Sequence, residues 1–100
     1  MIKHVILWKL KEELSEAEKA LIKENMKREL EGLKGKVPGL LEMTIQISPL
    51  ASSNAEVMLN STLESEEALK GYAVHPEHVR VADNFVRPYT QARMCMDYEI

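Results

Sequence analysis

The sequence has little that would support a disulfide, a nucleic-acid surface or a membrane span. Cys95 is the only cysteine among the 100 residues, so the chain cannot form an internal disulfide, although a bridge between two chains stays open. Acidic and basic residues are intermixed and give a formal net charge of −3, so there is no basic field to hold a phosphate backbone. We therefore expect no nucleic-acid partner.

Long hydrophobic runs are also missing. The longest apolar run near the start, residues 5–8, is far shorter than the core of a signal peptide and is followed by charged residues. No segment approaches the roughly 18–20 apolar residues of a membrane span. Together with the single cysteine, which suits a reducing compartment, this predicts a cytoplasmic protein without a membrane partner. Without repeats or linkers, residues 1–100 are expected to form one domain.

What the sequence does contain is a regular succession of apolar patterns. Alternation with a period of two predicts half-buried strands, whereas apolar steps of three and four residues predict a helix. These patterns place strands at residues 2–10, 41–47, 55–63 and 92–100, a helix at 15–33, and a second helix, broken in two, between 65 and 87. The predicted order is therefore βαββαβ.

Short local signals predict where these helices begin. Ser15 and Glu18 fit a capping box, in which the serine hydroxyl accepts from the Glu18 amide and the carboxylate reaches back to the Ser15 amide. Ser65 is expected to cap the second helix. Pro76 suits the first position of a helix, because it has no N–H that would need a partner there. We therefore expect the second helix to break at His75 and Pro76.

A βαββαβ chain of this length most simply forms an α+β ferredoxin-like sandwich, a four-stranded antiparallel sheet with both helices on one face. The first strand should be central, and it is apolar toward both faces, with Ile6 and Trp8 on one side and Val5 and Leu7 on the other. The face without helices therefore needs a cover, and a second copy of the sheet is the simplest one. We expect a homodimer, a dimeric α/β barrel whose two sheets enclose a space.

Two histidines and a tyrosine stand close together in residues 71–78, Gly-Tyr-Ala-Val-His-Pro-Glu-His. His78 would lie in the first turn of the helix that Pro76 opens, where the helix dipole disfavours imidazolium and leaves a neutral ring able to accept a proton. Tyr72 could donate a hydrogen bond to a developing oxyanion. Structural roles compete with this interpretation: Tyr72 as a core aromatic with a bonded hydroxyl, and His75 as a helix cap.

The string Tyr-x-x-His-Pro-x-His at residues 72–78, the opening Lys-His-Val-Ile-Leu-Trp-Lys-Leu-Lys at 3–11 and the downstream Pro88 resemble the stress-responsive A/B barrel domain family over essentially the whole chain. The resemblance implies a dimeric α/β barrel of ferredoxin-like subunits. It says little about activity, because most members are known only as small stress-associated proteins, whereas a plant polyketide cyclase of the family closes a ring by aldol-type chemistry. Some plant members hold magnesium through backbone carbonyls after the first helix, here residues 34–40.

The resemblance to that cyclase implies roles for individual residues. Tyr72 and His78 match its catalytic tyrosine and histidine, and His4 matches a pocket histidine on its first strand. His75 is expected beside them as a further binding residue of the pocket. The resemblance therefore implies an acid–base pair with His4 as a neighbouring pocket histidine.

The chain departs from the cyclase at several pocket positions. Met26 and Val57 stand where the cyclase has a tyrosine on the first helix and a histidine on the third strand. The last strand would present Arg93, Cys95 and Asp97 on one face, which is more polar than a pocket for a long alkyl polyketide. The acid–base pair is therefore expected to act on a different substrate.

No metal and no cofactor is expected. The histidines at positions 75 and 78 resemble a metal-ligand pair, but the proline between them turns the two rings apart. The Met-Cys-Met at residues 94–96 offers soft ligands, but in a strand the two methionines point away from the cysteine. Packing in the core is therefore the predicted role of Met94 and Met96.

Three hypotheses of function remain open, and whether the protein is an enzyme is not decided. The first and preferred one is a homodimeric stress-response protein of undefined activity whose barrel cavity binds a small apolar or aromatic compound, because the set of catalytic residues matching the cyclase is incomplete. The second is a cofactor-free lyase, cyclase or isomerase, in which neutral His78 removes a proton next to a carbonyl while Tyr72 and His4 stabilise the enolate. The third, monooxygenase chemistry on quinol-like substrates, rests on fold analogy alone.

Overall fold

The chain forms a four-stranded antiparallel sheet with its helices packed on one face. A computed structural model describes residues 1–100. Its elements are β1 (Ile2–Leu10), α1 (Glu16–Glu31), β2 (Leu40–Gln46), β3 (Val57–Leu63), α2 (Glu66–Val74), α3 (Pro76–Val81) and β4 (Thr90–Glu99). The strand order is β2-β3-β1-β4, so β1 is central as predicted. The predicted ferredoxin-like βαββαβ fold is confirmed. None of the helices is both long and apolar enough to cross a lipid bilayer.

The helices begin where the local signals predict. The Ser15 hydroxyl accepts from the Glu18 amide at 3.1 Å, and the Glu18 carboxylate accepts from the Ser15 amide at 3.0 Å, which completes the capping box. The Ser65 hydroxyl accepts from the Ala68 amide at 3.1 Å. Pro76 opens α3, after which a π-helical turn (Ala82–Val86) and a 3₁₀ turn (Arg87–Tyr89) lead into β4. The predicted break in the second helix is therefore confirmed.

The apolar core lies between the helices and one face of the sheet. Met26 on α1 and Val57 on β3, the two positions that depart from the cyclase, are both buried in it. The alternation predicted for β2 fails at Leu41, which is 40% exposed. The pairing of β2 with β3 shifts register between Leu40 and Glu42, so Leu40 takes the buried position instead.

The opposite face of the sheet carries an exposed row of apolar side chains. In the register between β1 and β4, Val5 pairs with Met96 and Leu7 with Met94. Met94 is 72% exposed and Met96 68% exposed, so the predicted packing of these methionines in the core of the chain is wrong. We call this surface the open face; it consists of Val5, Leu7, Met94, Met96 and Tyr98. An exposed apolar patch of this kind is typical of a surface that another protein covers.

Candidate functional site

A cavity of about 440 Å³ lies between the sheet and the helices that pack on it. Apolar side chains form most of its wall: Ile6, Trp8, Leu30, Leu59, Leu69, Ala82 and Val86. Its polar groups come from His4, Tyr72, His78, Arg87, Thr90 and Arg93. The structure therefore brings together three of the predicted site residues, His4, Tyr72 and His78. A mostly apolar cavity of this size with a few convergent polar groups is typical of a site for a small organic ligand.

The cavity lies within one chain, on the side of the sheet away from the open face. His4 points to the same side of β1 as Ile6 and Trp8, because alternate residues of a strand face the same way. The predicted ligand space between the sheets of two copies is therefore wrong for these site residues, since they face the helices of their own chain.

His78 is held in one tautomer with a free proton acceptor. Its Nδ1 lies 3.1 Å from the carbonyl oxygen of Ala73, and since a carbonyl can only accept, Nδ1 carries the proton and Nε2 keeps its lone pair. Burial lowers the pKa of His78, the bond to Ala73 opposes this, and nearby cationic side chains lower the pKa further. His78 lies in the first turn of α3 as predicted, but burial rather than the helix dipole is the main cause of the neutral ring.

Tyr72 places an unpaired phenol hydroxyl at the cavity. The residue lies in the last turn of α2 and is only 2% exposed, yet its oxygen has no hydrogen-bond partner. The core-aromatic interpretation is therefore right about the ring and wrong about a bonded hydroxyl. Burial raises the pKa of Tyr72, and the positive charge of Arg93 opposes that rise. The phenol keeps its proton at neutral pH and is a donor without an acceptor.

The three aromatic rings of the site contact one another. The Tyr72 and His78 rings are tilted by 39°, with their centroids 4.3 Å apart. His4 meets Tyr72 edge-on, with the centroids 5.8 Å apart. A carbonyl compound in the cavity would thus meet a hydrogen-bond donor on Tyr72 and a proton acceptor on His78 in adjacent rings.

A carboxylate outside the predicted acid–base group fixes the orientation of His4. Asp97 on β4 is directly opposite His4 in the strand register, and its carboxylate bonds to the imidazole Nδ1. A carboxylate can only accept, so Nδ1 carries a proton, and His4 can donate through Nε2 only as imidazolium. The alternation of β4 placed Asp97 on a polar face, but only the register with β1 shows which residue meets His4.

His4, Asp97 and Cys95 bring metal-ligand atoms within 4.8 Å of one another. These groups are already engaged with each other, because Asp97 bonds to His4 and the Cys95 sulfur donates to Asp97 at 3.5 Å. Burial raises the pKa of the Cys95 thiol, and the Asp97 carboxylate raises it further. The sulfur is therefore a protonated donor at neutral pH, and the three side chains form one hydrogen-bonded group.

His75, predicted as a further pocket residue, lies outside this cavity. Its Nδ1 accepts from the Glu77 amide at 3.1 Å, which makes it the N-cap of α3. The extended conformation before Pro76 turns the ring toward the start of α3 and into a surface groove beside Gly71. The pocket prediction for His75 is corrected, and the capping alternative is confirmed.

Replacing His75 with alanine is expected to lower stability without changing the cavity. The variant leaves the Glu77 amide without its cap, and the loss of an N-cap costs about 1 kcal/mol. Urea unfolding followed by circular dichroism would measure this loss. His75→Asn supplies another capping side chain and should recover most of the stability. If His75→Ala instead abolished ligand binding at unchanged stability, the pocket role would have to be restored.

The comparisons with known proteins agree with this fold. The model of the stress responsive A/B barrel domain matches residues 2–100. A dimeric protein of unknown function with a ferredoxin-like fold from Bacteroides fragilis is 27% identical, with a TM-score of 0.91 over 99% of this chain and 95% of that one. An Arabidopsis thaliana protein is 22% identical, with a TM-score of 0.80 over 100% of this chain and 95% of that one.

A further similar structure has a described activity. The hydroxynitrile lyase from Passiflora edulis is 15% identical, with a TM-score of 0.78 over 99% of this chain and 92% of that one. At this identity the similarity extends to the fold alone. No curated protein is significantly similar to the chain in sequence.

Proposed function

This chain belongs to the stress-responsive A/B barrel domain family, and we propose that it is a homodimeric, cofactor-free enzyme that acts on a small carbonyl compound. In this proposal His78 removes a proton from the carbon next to the carbonyl, and Tyr72 donates a hydrogen bond to the enolate oxygen. One observation carries the proposal: the unpaired Tyr72 hydroxyl and the free Nε2 of His78 belong to adjacent rings that line one cavity.

The proposed proton transfer uses atoms whose roles the hydrogen bonds define. As the C–H bond breaks, the proton moves to Nε2 of His78, while Nδ1 keeps its bond to Ala73. The electron pair of the C–H bond forms a carbon–carbon double bond, and the carbonyl π pair moves onto oxygen, which accepts from Tyr72. Return of the proton to another carbon gives an isomerisation, and attack of the enolate carbon on a second carbonyl gives an aldol-type closure. A donor held in place at the reacting oxygen stabilises such an enolate.

The lining of the cavity supports an apolar or aromatic body for the substrate. Ile6 and Trp8 form part of the wall, together with aliphatic side chains of α1 and α2. The hydroxynitrile lyase with the same fold supports lyase-type chemistry as compatible with this architecture. Self-association is supported by similar structures described as dimeric. The exposed apolar row of the open face supports that face as the contact surface.

Exchange of α-hydrogens for deuterium is the most direct test of this function. Acetophenone in D₂O would be followed by proton NMR with and without the protein. We expect the methyl signal to disappear faster than with the same concentration of free imidazole. Binding of acetophenone without accelerated exchange would overturn the catalytic part of the proposal and leave a ligand-binding protein.

The pH dependence of the exchange rate follows from the base. Neutral imidazole is the active form, so protonation of His78 removes activity as the pH falls. Because burial lowers the pKa of His78 from 6.5, the rate is expected to be constant above about pH 7 and to fall with a midpoint below 6.5. Initial exchange rates between pH 4.5 and 8.5 would measure this fall. If the rate of His78→Gln fell with pH in the same way, the titration would belong to another group.

A further inference from the structure

Arg93 carries a cation that no carboxylate neutralises. The other three arginines all form ion pairs: Arg28 with Glu29, Arg80 with Glu77 and Arg87 with Asp83. Arg93 forms no such pair, although Asp97 follows on the same side of β4. The Asp97 carboxylate is bonded to His4 instead. A guanidinium without a carboxylate partner therefore remains on this face of the sheet, beside the Cys95 side chain.

Arg93 also stands at the cavity that contains the acid–base pair. It lies opposite Trp8 in the strand register, and both side chains line the cavity. Its positive charge opposes the burial-driven rise in the pKa of Tyr72 and adds to the fall in the pKa of His78, so it is close enough to act on both. An anion held by Arg93 would therefore lie within the same ligand space.

We propose that the cavity selects small carbonyl compounds that also carry a carboxylate, and that Arg93 binds this carboxylate. The inference rests on the proposed function and adds the class of substrate to it. The apolar wall beside Trp8 holds the body of the ligand, Tyr72 meets its carbonyl, and the guanidinium meets its carboxylate. Arginine presents two parallel N–H groups that match the two oxygens of a carboxylate. Keto acids with an aromatic or short aliphatic body have this combination of groups.

Arg87 provides a matched control in the same cavity. It also lines the cavity, but its guanidinium is paired with Asp83 one helical turn earlier. If any nearby positive charge were sufficient, the two arginines would contribute equally to binding. If an unpaired guanidinium is required, only Arg93 should matter.

Two probes of nearly the same shape measure how much the carboxylate contributes to binding. Acetophenone has a phenyl ring, a ketone and a methyl group, and benzoylformate has a carboxylate in place of the methyl group. We expect the dimer to bind benzoylformate about 10–100-fold more tightly than acetophenone in calorimetric titrations at low salt. Arg93→Gln should remove this preference and leave the acetophenone affinity within about twofold, whereas Arg93→Lys should keep part of it. Arg87→Gln should change the ratio by less than about threefold.

The outcomes distinguish this inference from the proposed function. Equal affinity for both probes, or a preference that survives in Arg93→Gln, overturns the role of Arg93 while acetophenone exchange still tests the acid–base pair. A preference that depends on Arg93, without any exchange of acetophenone, supports the carboxylate site and overturns the proposed catalysis. No binding of either probe at millimolar concentration overturns both. Because Arg93 is exposed, its variants are expected to fold, and the acetophenone affinity checks this directly.

Discussion

Replacing Tyr72 with phenylalanine is expected to raise the stability of the protein and to remove most of the proposed activity toward carbonyl compounds. The hydroxyl is buried without a partner, so its removal eliminates a desolvated polar group, and we expect a gain of about 1 kcal/mol in the free energy of unfolding. The same change removes the donor to the enolate oxygen, and the loss of one such donor lowers rates by about 10²–10³-fold. Urea unfolding and the exchange of acetophenone hydrogens would measure the two effects on one sample.

The opposite signs of these effects separate catalysis from structure. Tyr98→Phe is the matched control for activity, because Tyr98 lies on the open face and does not line the cavity. This control should leave the exchange rate unaltered. If Tyr72→Phe lost stability together with activity, the hydroxyl would support the fold and would not be a group held free for a ligand.

Replacing Met96 with lysine is expected to convert the proposed homodimer into monomers. Met96 is central to the open face and is 68% exposed in the single chain, so a lysine there should not disturb the core. In a dimer formed through this face, each copy would bury an uncompensated ammonium group, which costs several kcal/mol. We therefore expect the dissociation constant to rise by at least about 100-fold, as measured by sedimentation equilibrium at micromolar concentrations.

Val74→Lys is a control that also replaces an exposed apolar side chain with lysine, but on the other side of the sheet. Val74 on α2 is 75% exposed and does not belong to the open face, so this variant should remain a dimer. The circular dichroism of Met96→Lys should match that of the wild type, which would show that the monomer is folded. If Met96→Lys sedimented as a dimer, the open face would not be the surface through which two copies associate.

Features set by neighbours in sequence could be predicted well. The capping box at Ser15 and Glu18 involves residues three apart, and the break at Pro76 follows from the missing amide of a single residue. The βαββαβ order needs only the period of each apolar pattern. Apolar residues at both odd and even positions of β1 also predict that both faces of the sheet carry apolar side chains. These signals are local, so no knowledge of the strand pairing is needed to interpret them.

Features set by strand register could not be predicted. The pairing of His4 with Asp97 joins residues 93 positions apart, and it depends on how β4 aligns with β1. The register shift that buries Leu40 and exposes Leu41 depends in the same way on how β2 pairs with β3. Whether Arg93 has an ion-pair partner depends on all the carboxylates near it and on which of them other residues already bind. The short sequence distance between His75 and His78 does not bring them into one pocket, because the chain turns between them and His75 caps α3.

The position of the cavity on the helix side of the sheet has a consequence for stoichiometry. If two copies associate through their open faces, each keeps a whole set of His4, Tyr72 and His78 from its own chain. Such a dimer should bind two ligand molecules independently, with a Hill coefficient of about one. A hybrid dimer of one wild-type chain and one His78→Gln chain should keep about half of the turnover rate. Mixing the two chains would therefore produce a linear fall in rate with the fraction of the variant.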